Sequence, residues 1–241
     1  MKRMISFFVL IVSAFSVGGC GKEKVQTDIS NVEYLEGTSK ESIAHNLRLV
    51  ANAIKSVEFI GKLNIDGNDY IFNGKLIIKD TIENSLLYIE FDNNHLYLKN
   101  GKIYLSYFYN NTNVIVKDNI ENYIREIDSI LLTKGISFNE ENVINFIKNK
   151  TIKDIDFNVI SKYVSKVNDG YEINHNNLKM KFDNDYLLDQ LSFDKNNVSF
   201  ALNFKYSNVK INIPLSYDIF NINIESIKKL LKVDNLSELI K

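Results

Sequence analysis

The stretch Val57–Lys79, VEFIGKLNIDGNDYIFNGKLIIK, decides the fold, because its apolar residues recur at every second position on both sides of a turn signal. Such alternation is typical of a strand with one buried face, and the central DGND favours a tight hairpin. With Gly67 and Asn68 as the loop residues, the apolar sets of both strands share one face and Gly61 lies opposite Gly74. Because a glycine pair inside two strands indicates a bend or a close approach, we predict a long, curled antiparallel ribbon.

A helix is predicted directly before this ribbon, from Thr38 to Lys55. Thr38 and Glu41 have the spacing of a capping box. The helix has one apolar stripe, which needs an apolar partner, and the adjacent ribbon offers one. We therefore expect the helix to lie on the concave face of the sheet. The stripe consists of Ile43, Leu47, Val50 and Ile54, with Ala44 and Ala51 beside them.

Further short alternating segments, separated by turns rich in Asn and Gly, predict more strands on both sides of two inserted helices. The strands are Leu86–Phe91, His95–Lys99, Lys102–Tyr109, Asn113–Lys117, Tyr163–Val167, Tyr171–Asn174, Leu178–Phe182, Tyr186–Phe193, Val198–Tyr206 and Val209–Ile213. The helices are Asn119–Leu132 and Asn139–Lys148, with a short one at Asn223–Lys232. Lys102–Tyr109 is apolar on both faces, which predicts a central strand covered on both sides. Pro214, the only proline, is expected to end the last strand.

These elements predict an α+β fold with one large curled antiparallel sheet, half-barrel-like in shape. The N-terminal helix and the two inserted helices are expected to cover its concave face. A single domain over residues 38–241 accommodates all of them.

The first twenty residues have the features of an export signal. Lys2 and Arg3 precede the apolar segment Met4–Phe15, which is too short to span a bilayer. The following Val17-Gly18-Gly19-Cys20 resembles the lipobox of bacterial lipoproteins, in which small residues precede an invariant cysteine. An ordinary secretory signal with a chance cysteine is the alternative, but Cys20 is the only cysteine of the chain.

The lipobox resemblance implies that residues 1–19 are a signal peptide and that Cys20 carries the lipid. The protein would then be anchored to the extracytoplasmic face of a bacterial cell membrane. Residues 20–37 are polar and without apolar periodicity, which predicts a lipidated tether. The net charge of −1 becomes more negative once Lys2 and Arg3 are removed. Such a surface disfavours nucleic acid as a partner and predicts no polybasic attraction to anionic lipid.

No catalytic residue, cofactor or metal ligand is predicted. The histidines have no partner at metal-binding spacing, and no nucleophile elbow or Gly-rich phosphate loop occurs. The Asp/Asn segments at 92–94 and 183–185 are interpreted as turns rather than calcium loops. Several tyrosines could line a sugar or lipid pocket, but ordinary sheet positions are the preferred interpretation. The residues weighed are His45, His95 and His175, and Tyr97, Tyr104, Tyr107 and Tyr109.

The order of elements, the lipobox and the size resemble the lipoprotein-carrier-like (LolA/LppX-like) half-barrels over residues 38–213. That family includes the periplasmic lipoprotein carrier and the mycobacterial lipid-binding lipoproteins. The resemblance implies a hollow under the sheet that holds acyl chains, and it transfers no ligand-binding residues.

Three functions remain open on the sequence. The first is a non-enzymatic carrier or sensor of a lipid or other apolar ligand. The second is a structural or protein-interaction lipoprotein with a packed core and an unknown protein partner. The third, ranked last, is an enzyme.

Overall fold

One open, curled sheet dominates the computed structural model, which confirms the predicted α+β fold class. Eleven strands run antiparallel, and a two-residue twelfth strand adds in parallel at one edge. The structure describes residues 27–79, 81, 83–92, 94–109, 112–133, 135, 139–149, 157–211 and 221–231. The predicted signal peptide, Cys20 and Pro214 lie outside these residues. No helix in the described part of the chain is long and apolar enough to cross a membrane.

The strands form two meanders joined by one long-range pair. Strands β1–β6 follow one another across the sheet, β7–β11 do the same, and β1 pairs with β11. The strands are β1 Ser56–Ile65, β2 Asn68–Ile77, β3 Leu86–Phe91, β4 Asn94–Lys99, β5 Lys102–Tyr109, β6 Thr112–Asn119, β7 Val164–Val167, β8 Gly170–His175, β9 Leu178–Phe182, β10 Leu188–Lys195, β11 Val198–Lys205 and β12 Asn221–Ile222.

The β1–β2 hairpin has a different register from the one predicted. Its loop residues are Asp66 and Gly67, at φ 51° and 82°, and Ile65 pairs with Asn68. A two-residue turn with positive φ at both positions is the one that Asp-Gly favours. The register is shifted by two positions, so the apolar residues still share one face.

The predicted pairing of Gly61 with Gly74 is therefore wrong. Gly61 lies opposite Phe72, and Gly74 lies opposite Phe59. A Cβ atom at either glycine would overlap the opposite phenyl ring. The two rings meet edge to face, with centroids 6.2 Å apart. Each glycine thus makes room for a ring that lies across the neighbouring strand.

Five helices accompany the sheet within the described residues. They are α1 Lys40–Ala53, α2 Ile120–Leu132, α3 Glu140–Asn149, α4 Phe157–Ser161 and α5 Ile224–Leu231. The short α4 was not predicted. The N-cap of α1 is Ser39 rather than Thr38, since the Ser39 hydroxyl accepts a hydrogen bond from the Ser42 amide at 3.1 Å.

Helix α1 lies on the inner face but not on the predicted ribbon. Its stripe packs against β7, β8 and the β9–β10 loop, while Ile54 at its C-terminal end also reaches the cluster under β1. Strands β7 and β8 form the free edge of the sheet, and α1 covers the inner face there. The cluster under α1 contains Ile43, Leu47, Val50, Val164, Tyr171, Ile173 and Tyr186.

Strand β5 lies near one edge of the sheet, between β4 and β6, and is not central as predicted. Both faces of β5 are nevertheless covered. Ile103 and Leu105 are buried on the inner face, and Ser106 is buried on the outer face. In place of the predicted strand Val209–Ile213 there is a single bridge at Val209, and residues 212–213 lie outside the described part. The other predicted elements agree within two residues at each end.

Candidate functional site

The concave face of the sheet consists of apolar rows that run from strand to strand. One row crosses from β1 to β6, and each of its side chains is at most 8% exposed. Side chains of α2, α3 and α5 close over this part of the sheet, so it is a sealed core. The row is Phe59, Gly74, Ile89, Leu96, Leu105 and Val116, and the covering side chains are Ile120, Ile124, Ile127, Ile147 and Ile224.

A second row, called the tip row, crosses β9, β10, β11, β1 and β2 nearer to the hairpin tips. Three of its side chains are only half-buried, namely Leu178, Phe193 and Tyr70. The rings of Phe193 and Phe200 are stacked with centroids 5.7 Å apart. This part of the apolar concave face therefore stays partly open to solvent. The tip row is Leu178, Phe193, Phe200, Leu63 and Tyr70, in the order in which the strands pair.

Helices α2 and α3 form an antiparallel helical hairpin over the concave face. Ion pairs join the two helices, between Lys148 and Glu121 and between Arg125 and Glu140. The base of the hairpin is attached to β6, where the buried Tyr123 hydroxyl donates to the Val116 carbonyl at 3.1 Å. Burial raises the pKa of this phenol, which keeps it a donor.

The loop between α2 and α3 reaches the opposite side of the concave face. There the Gly135 carbonyl accepts a hydrogen bond of 3.5 Å from the Asn196 side chain, in the β10–β11 turn. Asn196 follows the strand that carries Phe193 by one residue. The helical hairpin is thus attached at its base through Tyr123 and contacts the β10–β11 turn through Gly135.

Asp118, at the end of β6, connects α2 and α5 to the sheet. Its Oδ1 accepts hydrogen bonds from the Asn119 amide at 2.8 Å and the Asn122 side chain at 2.7 Å. Its Oδ2 accepts from the amide of Ile224, the first residue of α5, at 3.0 Å. This carboxylate is occupied with holding helix ends, a structural role.

The three histidines that were weighed as metal ligands in the sequence lie apart in the structure. His45, His95 and His175 lie on α1, β4 and β8, and no group of three ligating side chains exists among the described residues. His95 is engaged on the convex face, where its Nδ1 is 3.0 Å from the Tyr88 hydroxyl and the two rings stack.

Tyr97 of β4 and Tyr104 of β5 lie on the convex face and not in the concave interior. Tyr97 and Tyr104 are paired across these strands, and the Lys117 ammonium lies 5.4 Å from the Tyr104 ring centroid. The side chains of Tyr107 and Tyr109 are outside the described part. This placement agrees with ordinary sheet positions for the two tyrosines that are described.

The Asp-rich segment at 183–185 is a turn. Asp183 Oδ1 accepts hydrogen bonds from the amides of Asp185 and Leu187, each at 2.9 Å. Burial is the main cause of a raised pKa for the Asp183 carboxyl. Asp92, with φ 44°, likewise lies in the β3–β4 turn.

Residues 27–37, predicted as part of the tether, are docked on the domain, and we call them the strap. Thr27 Oγ1 donates to the Ser56 carbonyl at 2.7 Å and accepts from the Lys55 and Ser56 amides at 3.1 Å. The fully buried Asn46 side chain exchanges two hydrogen bonds with the Leu35 backbone, at 2.8 and 2.9 Å.

The strap also has apolar contacts that sequence reasoning missed. The Tyr34 ring stacks on Tyr186 at 5.6 Å, and Ile29 and Val32 pack on the cluster under α1. Ile29, Val32 and Tyr34 recur at spacings of three and two, which matches neither a helix nor a strand. Their apolar character alone was the available signal.

No family model and no curated protein matches the chain. Among solved structures, LprF from Mycobacterium bovis is similar, with a TM-score of 0.39 and 8% identity over 73% of this chain and 95% of that one. The function is therefore inferred from this chain's own residues.

Proposed function

We propose that the protein is a non-enzymatic lipoprotein, anchored through Cys20 to the extracytoplasmic face of a bacterial membrane, whose concave face binds a lipid or another apolar ligand. The lipobox-like Val17–Cys20 supports the anchor, and the half-open tip row supports the ligand. We take residues 38–241 as one domain, with the strap docked onto it.

The observation that carries the proposal is the partial exposure of aligned apolar side chains on an inward-curving surface. Concave, mostly apolar surfaces are where proteins bind small apolar molecules. All five members of the tip row are apolar or aromatic, so the row favours a hydrocarbon chain, and none of the five supplies a charged group for a polar head. Burial of one methylene contributes about 0.8 kcal/mol. A chain of about fifteen buried methylenes therefore contributes about 12 kcal/mol, which leaves enough for micromolar binding after an association cost of about 4 kcal/mol.

The test is direct analysis of what the protein carries. The chain from residue 21 onward is purified without detergent, extracted with organic solvent and measured by mass spectrometry. We expect one lipid or similar apolar compound per protein, in near-stoichiometric amount. A folded protein that carries no bound compound, and that takes up none when it is incubated with lipid, contradicts the proposal that it binds an apolar ligand.

The anchor has a separate test. Mass spectrometry of the N-terminal peptide from the membrane fraction should show a diacylglycerol-modified Cys20 as its first residue. An unmodified Cys20 in cells with a working lipoprotein pathway contradicts the anchor and leaves the ligand proposal standing.

A specific observation on the convex face favours the second candidate function, docking of a protein partner. Ile60 and Ile71 are 58% and 67% exposed, and they are diagonal neighbours on β1 and β2. Exposed apolar pairs of this kind occur at protein interfaces. An empty, stable protein that loses a membrane-bound partner on Ile71→Asp substitution would favour this function over ligand carriage.

A further inference from the structure

Thr27 marks the point at which the described chain enters the domain, and it lies at one end of the sheet. Its hydroxyl is bonded to Lys55 and Ser56 at the start of β1. The Ser56 hydroxyl donates to the Ser207 carbonyl, just after β11, at 3.1 Å. We call this the entry end, and the end with the β1–β2 and β10–β11 turns the tip end.

The reach of the chain between Cys20 and Thr27 is short compared with the sheet. Six residues separate the two positions, so their Cα atoms are at most about 25 Å apart. Strand β1 has ten residues and is about 33 Å long. An orientation with the tip end on the bilayer would lift Thr27 by about that length, beyond the reach of an anchor at Cys20.

Charged side chains are also distributed unequally between the entry end and the tip end, in a way that favours the same orientation. Exposed lysines lie at the entry ends of β1, β5 and β11. Two half-buried lysines lie at the same end, one just after β2 and one as the last residue of β4. Exposed carboxylates lie at the tip end, in or beside the β1–β2, β3–β4 and β10–β11 turns. The lysines are Lys55, Lys102, Lys205, Lys210, Lys79 and Lys99, and the carboxylates are Asp66, Asp92 and Asp194.

The sequence predicted no polybasic attraction, yet folding gathers lysines distant in sequence at one end, where each attracts anionic headgroups. Carboxylates also lie at the entry end, where they match the lysines in number, so this end is close to neutral. They are Asp28 beside Thr27, Glu83 beside the β4–β5 turn, Asp169, Asp183, Asp185 and Asp189. The tip end also has the exposed Lys195, but with Asp69 added to its carboxylates it remains more negative than the entry end.

We propose that the entry end of the sheet docks on the lipid bilayer, with its lysines on the headgroups and the tip row facing away. This inference rests on the proposed anchor at Cys20 and adds the orientation of the domain.

The test uses the full lipidated chain, in which acylation leaves no free thiol, so an introduced cysteine is labelled uniquely. Asn208→Cys at the entry end and Asn68→Cys at the tip end are both exposed positions. Each variant, labelled with a fluorophore, is reconstituted into phosphatidylethanolamine–phosphatidylglycerol vesicles that contain a lipid with a nitroxide on its headgroup.

We expect quenching of the Asn208→Cys label at least threefold stronger than that of the Asn68→Cys label. Equal quenching, or stronger quenching at the tip end, in protein that sediments with the vesicles overturns the orientation and leaves the anchor intact. Protein that stays in the supernatant with an unmodified Cys20 overturns the anchor and the orientation together.

Discussion

Gly61 and Gly74 are retained because a phenyl ring occupies the space of each missing side chain. We predict that Gly74→Ala lowers the free energy of unfolding by about 1–3 kcal/mol, since the new Cβ overlaps the Phe59 ring. Urea unfolding measures the change, with the exposed Asn73→Ala on the same strand as the control, expected within about 0.5 kcal/mol.

The same experiment has a rescue arm. Replacing Phe59 by Leu in the Gly74→Ala background should cost less than the sum of the two single changes, because the shorter side chain vacates the contested space. Strict additivity would show that the Phe59 ring does not lie over Gly74.

Asp183 gives stability a pH dependence of known sign. Burial raises the folded-state pKa of its carboxyl above the ordinary 3.8, so the ionised form is disfavoured in the folded protein. The resulting loss of stability is absent at a pH below the pKa of this carboxyl in the unfolded chain. It is complete at a pH above the pKa of this carboxyl in the folded protein.

We predict that Asp183→Asn, whose Oδ1 can still accept from the 185 and 187 amides, becomes progressively more stable than wild type as the pH rises above about 4. Urea midpoints of both proteins at pH 3 to 7 measure this. An advantage that shrinks with rising pH would contradict the burial argument.

For Gly61, Gly74 and the rings opposite them, the sequence predicted the face of the sheet on which each residue lies but not its partner on the neighbouring strand. The hairpin register of β1–β2 is two positions away from the prediction, and a shift of two leaves the side-chain faces unchanged. The pattern of apolar residues therefore cannot distinguish the two registers. The preference of Asp-Gly for positive φ at both loop residues was the signal that could have decided.

Among the elements, the strap differs most from what the sequence predicted. Its few apolar residues lack periodicity, so a polar tether was predicted, and the buried Asn46 in α1 had no visible purpose. Likewise the stripe of α1 predicted that one face is covered, which is correct. It could not predict that β7 and β8, more than 100 residues later in the chain, provide the cover.

We predict that Asn46→Ala frees the strap and lowers the free energy of unfolding by about 1–3 kcal/mol, because the Leu35 N–H and C=O lose their buried partners. Hydrogen exchange of residues 27–37 should accelerate at least tenfold. Arg48→Ala, exposed on the same helix, is the control. Unchanged exchange in Asn46→Ala would show that the strap is held without this side chain.

Helix α5 depends on Asp118 in a similar way. Asp118→Ala removes the acceptor of the Ile224 amide, and we predict a loss of about 1–2 kcal/mol together with faster hydrogen exchange over residues 224–231. The exposed Glu225→Ala serves as the matched change in α5. If both variants exchange alike, Asp118 does not hold the helix.

For the whole molecule, the curled one-layer sheet was predictable because nearly every strand alternates and each turn carries its own signal. The closing of the two meanders through β1 and β11 was not predictable, since it joins segments about 140 residues apart that carry only the same alternation. A sealed core and a partly open apolar row also require the same alternating pattern. Only the pairing register and the exposure of Leu178, Phe193 and Tyr70 distinguish them.

The central proposal is that the tip row binds an apolar chain, and one titration tests it most directly. A dansyl-labelled undecanoic acid is titrated into the chain from residue 21 onward, as wild type, Phe193→Asp and Ile71→Asp, each shown to be folded by its thermal transition. We predict saturable binding of one probe by wild type and Ile71→Asp, within twofold of each other. Phe193→Asp should bind at least tenfold more weakly. Equal affinity in all three proteins, or no saturable binding by wild type, would contradict the proposal.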